Sequence, residues 1–104
     1  MSEGGGQSFK VGEVIGKSGT IDAVVIQITK VEADEIVAKV IELGESYSAV
    51  RLGRERGFVF GERIFFEKSG GGSGERRWIV RYPLGRSWMI LGVNEVDGSK
   101  YFEH

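Results

Sequence analysis

Residues 32–46 read EADEIVAKVIELGES, and the class of the fold turns on them. Ala33, Ile36, Val37, Val40 and Ile41 fit the apolar stripe of an amphipathic helix, with acids in the first turn and Gly44 at the C-terminal end. Against the helix, four of the nine residues from Glu35 to Leu43 are Val or Ile, whose branched Cβ suits a pleated strand. EADE also makes a hairpin loop between two β-branched runs, because IDAVVIQITKV (21–31) precedes it. The strand is therefore the favoured reading. It predicts extended backbone over 33–43, with Val37 and Ile41 on one face and Val40 on the other. A helix there would make the protein α+β.

Outward from this segment the pattern stays that of strands. In residues 21–31, Val24, Ile26 and Ile28 face one way. SFKVGEVIG (8–16) alternates, with Phe9, Val11 and Ile15 on one side, and KSGT (17–20) is a turn. SYSAVRL (46–52) reads as a further strand and GRERG (53–57) as a loop. FVFGERIFFEK (58–68) is two apolar runs around Gly-Glu, with Phe58 and Phe60 expected in the core. A Gly-acid turn feeding a strand is similar to the turn that opens strands in many small β-barrels. ERRWIVRY, SWMILGVNEV and KYFEH complete the set, with PLGR and DG as turns. The expected fold is all-β. It is a small β-barrel, OB- or SH3-like, or a compact sandwich of seven to eight short strands.

The 104 residues suit one domain. MSEGGGQ (1–7) is expected to be a disordered tail, and residues 8–104 a single β domain with a flexible Gly/Ser loop, SGGGSG, at 69–74. That loop also has the composition of an engineered linker, which would mark a loop replacement or a circular permutation. A phosphate-cradling loop is disfavoured, because no Lys-Ser/Thr follows it. With no cysteine, disulfides and thiolate metal sites are excluded, and a single histidine, His104, rules out a His-based triad. No apolar run approaches the roughly 18 residues of a membrane span, and the N-terminus lacks a signal-peptide pattern. The expectation is a cytoplasmic protein with no membrane association and no cofactor. Its charge-rich, amide-poor composition is one also found in hyperthermophile proteins.

Net charge is −1, but its distribution is uneven. Residues 1–50 carry eight acids against four lysines, whereas residues 51–88 carry nine bases against four acids. RRWIVRYPLGRSWMIL (76–91) holds four arginines and both tryptophans. Closing PLGR as a tight turn predicts the pairs Arg81–Trp88, Val80–Met89, Ile79–Ile90, Trp78–Leu91 and Arg77–Gly92. Strand alternation then puts Trp78, Val80, Tyr82, Met89 and Leu91 on a core face and Arg77, Ile79, Arg81, Trp88 and Ile90 on the other. Arg81 over Trp88 is either an ordinary solvent-face pair, contributing about 0.2–1 kcal/mol, or part of a stacking platform for bases, contributing about 1–3 kcal/mol per base. The nearby RLGRERG adds Arg51, Arg54 and Arg56.

The candidate binding face is thus Arg51, Arg54, Arg56, Arg77, Arg81, Arg86 and Trp88. The leading functional expectation is a non-catalytic nucleic-acid-binding barrel, with single-stranded nucleic acid as the partner. The alternative is a protein-interaction or structural module, such as an accessory subunit, using the same face as a hot-spot patch. An enzyme is not expected, since Asp34, Glu35, Glu42 and Glu45 have no histidine to work with and no spacing that forms a pocket.

Overall fold

The computed structural model describes residues 9–68, 77–82, 89–94 and 96–104, and in it residues 35–43 are a strand. Among the described residues seven strands follow one another: β1 (Val14–Lys17), β2 (Val24–Val31), β3 (Glu35–Leu43), β4 (Arg63–Lys68), β5 (Arg77–Tyr82), β6 (Ile90–Val93) and β7 (Lys100–Glu103). Each pairs antiparallel with its chain neighbour. β1 lies against β7, so the sheet curls into a nearly closed barrel. Lys100 Nζ stands 2.7 Å from Glu13 Oε2 and 5.8 Å from the centre of the Phe9 ring, clasping the seam. The small all-β barrel is as expected. Its topology is an up-and-down meander, which differs from the five-stranded Greek key of an OB-like barrel, one of the arrangements expected beside an SH3-like barrel and a sandwich. Among the described residues, no helix is long and apolar enough to cross a membrane.

β3 is extended because it is central. Hydrogen-bonded ladders run along both its edges, to β2 and to β4, satisfying backbone groups that a helix would satisfy internally. Its alternate residues Ile36, Ala38 and Val40 point into the barrel. They meet Val24, Ile26 and Ile28 from β2, Ile64 and Phe66 from β4, and Trp78 and Val80 from β5. Phe9, Ile15, Leu91, Val93, Phe102, Met89 and Phe58 complete the core.

Among the described residues three one-residue bulges interrupt the alternation. The register places an extra Ile41 on β3, an extra Thr29 on β2 and an extra Arg81 on β5. Val40 thus faces the core cluster and Val37 the opposite face, as expected, although Val37 is also buried at 5% exposure, while Ile41 sits half-buried in the bulge. Thr29 Oγ1 donates to the carbonyl of Val37 at 3.1 Å.

Residues 46–52 are not a strand. A 3-10 turn at Glu45–Tyr47 leads into a single helical turn, α1 (Ala49–Leu52). Ser48 starts it as an N-cap, its Oγ accepting from the Val50 N–H at 3.2 Å. The helix tucks against Gly57, where a Cβ would stand 2.6 Å from the Ala49 nitrogen. Val11 and Phe60 are exposed rather than core, at 66% and 69%. Val11 precedes a turn in which Gly12 takes φ 93°, so the alternation begins only after it. The expectations for the tail 1–7 and the loop 69–74 lie outside the described residues.

Candidate nucleic-acid interface

The β5–β6 hairpin has the expected register. Arg77 pairs with Gly92, Trp78 with Leu91 and Ile79 with Ile90, and the Val80 N–H donates to Met89 O at 3.2 Å. Trp78, Val80, Met89 and Leu91 are buried, while Arg77 and Arg81 are exposed on the other side. Arg86 and Trp88 lie outside the described residues, and with them the expected Arg81–Trp88 pair.

Tyr82 departs from expectation: it is 54% exposed instead of core. The cause is the bulge on β5. Phe66 pairs with Val80 but Phe65 pairs with Tyr82, so Arg81 is the extra residue, and the side-chain alternation slips by one beyond it. Two consecutive side chains, Arg81 and Tyr82, therefore share one outer hollow with Phe65, of about 360 Å³. The β2 bulge does the same for Thr29 and Lys30. Both line a second outer hollow, about 410 Å³, with Val37, Lys39, Arg63 and Phe65.

Phe65 is the wall common to both hollows. The Tyr82 ring meets it edge-on, 5.8 Å between centroids at 77°. The Arg81 guanidinium lies 5.8 Å from the Phe65 ring centre and reaches across β4 to form a salt bridge with Glu35 on β3. Lys39 and Arg63 face each other as a cross-strand pair of like charge. Among the described residues neither has an ionic partner, whereas Lys30 stands 3.4 Å from Glu32. Like charges placed opposite one another on neighbouring strands repel, and a bound anion would relieve the repulsion.

The structure therefore brings one of the predicted residues, Arg81, into a basic aromatic face with residues that were not predicted: Phe65, Tyr82, Lys39, Arg63, Lys30 and Thr29. Arg77 lies on the same outer side of β5, four residues and about 13 Å along the strand. Arg51 belongs to α1, and Arg54 and Arg56 to the turn after it. None of the three lines either hollow. One sequence signal for the missed site was the tandem Phe65-Phe66, since neighbouring residues of a strand point to opposite faces and one ring must face out.

His104 packs elsewhere, its ring centroid 4.7 Å from Tyr47, 5.8 Å from Phe58 and 5.3 Å from Phe102. Burial holds its imidazole below the ordinary histidine range. No protein-family model, no curated protein and no solved structure matches the chain, so the site stands on its geometry alone.

Proposed function

We propose that this chain is a non-catalytic nucleic-acid-binding barrel whose contact face is the outer side of β2–β5 around Phe65. The observation that carries this reading is one aromatic pair, Phe65 and Tyr82, ringed by Arg81, Lys39 and Arg63. Rings accept bases by stacking, at about 1–3 kcal/mol each, and cations neutralise phosphates. Arg77 extends the positive charge along β5, and Arg51, Arg54 and Arg56 add a second basic segment. Arg86 and Trp88, close in sequence to Arg81, remain candidates. With a net charge of −1, attraction to a polyanion has to come from this local patch rather than from the molecule as a whole. The cysteine-free, charge-rich composition supports a cytoplasmic setting and a thermophilic source.

A protein-interaction module is the second reading. It is favoured by apolar side chains left in solvent away from the hollows, Val50 at 98% and Phe60 at 69%. Fluorescence anisotropy with labelled DNA and RNA oligomers separates the two. Nucleic-acid binding is expected at about 50 mM salt, weakening log-linearly as salt rises. Absence of binding at that ionic strength with high-micromolar protein would overturn the first reading, and affinity capture of a protein partner would then test the second.

A further inference from the structure

We infer that the two hollows meeting at Phe65 are a base subsite and a phosphate subsite for single-stranded nucleic acid, and that Glu35 is the group the strand must displace. This rests on the nucleic-acid reading above and gives it a ligand form, a set of contacts and a built-in competitor.

The hollow lined by Phe65, Arg81 and Tyr82 offers two rings and a guanidinium. Because the rings stand at 77°, a flat base lying on one meets the edge of the other, the geometry aromatic groups prefer. Bases in a duplex are stacked on one another and cannot reach such a surface, so the subsite selects unpaired strands. The adjoining hollow supplies Lys30, Lys39 and Arg63 but, among the described residues, no second aromatic ring beyond Phe65. It suits the phosphodiester and not the base. A shared wall at Phe65 sets the two functions side by side, as a nucleotide has them.

Glu35 is the element that does not fit an anion site. It lies on β3 opposite another acid, Glu67, and it pairs with Arg81 while that guanidinium covers the Phe65 ring. The Arg81 side chain is 51% exposed and that of Glu35 is 22% exposed, so Arg81 is the partner with room to move. A base stacking on Phe65 displaces the guanidinium, which is released to the strand's phosphate. The Glu35 carboxylate is then left unpaired beside the incoming anion. Glu35 thereby holds the free protein's platform closed and weakens the complex.

The test is a set of titrations with a labelled oligothymidylate, the matching oligouridylate, the oligothymidylate as a duplex with its complement, and an abasic strand of equal length. The two unpaired strands are expected to bind more tightly than the duplex and the abasic strand, and comparing them tells DNA from RNA as the preferred source. Tyr82→Ala and Phe65→Leu should weaken single-strand binding by about five-fold or more, leaving the abasic strand unaffected. Lys39→Ala and Arg63→Ala should weaken all strands and flatten the salt slope by about 0.7 each. Glu35→Gln should tighten single-strand binding, and Glu35→Asp should restore it towards the original. Tyr82 is more than half exposed, so its variant stays folded and keeps the test informative, with circular dichroism as the check. Suppose single strands bind but Tyr82→Ala and Phe65→Leu bind as the parent does, or the abasic strand binds equally well. The subsite assignment is then wrong while the nucleic-acid reading stands. Unchanged affinity for Glu35→Gln overturns the competitor role. If no oligomer binds at low salt, the functional reading itself fails and this inference with it.

Discussion

β5 has two neighbours, and they treat it differently. Along β6 the ladder is regular, so its residues alternate strictly between core and solvent. Along β4 it carries the Arg81 bulge, and two consecutive side chains emerge on one side. The regular border builds the core, and the bulged border builds the candidate site. A bulge costs ladder continuity but lets a strand present adjacent residues to one ligand, which strict alternation forbids.

Trp78→Ala gives the largest effect expected from this contrast. Trp78 is 3% exposed on the regular side of β5, and its truncation should destabilise the protein by about 3–5 kcal/mol in urea unfolding. A much smaller loss would mean that the core does not depend on this border. Next comes Gly92→Ala. Gly92 pairs with Arg77 and Tyr101, and a Cβ there would run into the Tyr101 hydroxyl, so about 1–3 kcal/mol of overpacking is expected by the same measurement. Tyr82→Ala, four residues from Trp78 on the same strand but beyond the bulge, should cost less than about 1 kcal/mol, since its ring is more than half in water. Arg81→Ala removes an exposed ion pair and should change stability by about 0.2–1 kcal/mol. If the Tyr82 and Trp78 variants lost equal stability, the distinction between the two borders would collapse.

The smallest expected effect is a pH dependence that belongs to the core side. Burial keeps the His104 imidazole neutral in the folded state to lower pH than in the unfolded chain. The unfolded chain therefore binds the extra proton first, and stability falls as pH drops below the ordinary histidine value of about 6.5. Urea midpoints at about pH 5.5 and 7.5 should differ in that direction, and His104→Phe should remove this contribution. No histidine lies on the bulged face, so ligand binding there should not share this dependence.

Strand alternation made much of the barrel legible. The β5–β6 register, the buried set on β2 and the extended state of residues 35–43 all follow from period-two burial of branched and aromatic side chains. The candidate site was less legible because it depends on where the alternation breaks. Nothing in RWIVRY marks Arg81 as the extra residue. The bulge comes from pairing with β4, a strand separated from β5 by the Gly/Ser stretch. Lys39 and Arg63 were invisible as a pair for the same reason, being neighbours only across the β3–β4 ladder. SYSAVRL misled in another way. Its single β-branched residue, Val50, is fully outside, and Ser48 was a helix cap readable only once its side-chain bond to Val50 was seen.

The sequential strand order has a kinetic consequence. Each ladder joins segments adjacent in the chain, so most of the barrel zips together with little loop-closure entropy at each step. All-β domains ordinarily fold slowly because distant segments must find one another. Here the pairing of strands farthest apart in the chain is the docking of β1 on β7 that the Lys100–Glu13 pair secures. Variants at that seam are therefore expected to slow folding more than variants at any single hairpin.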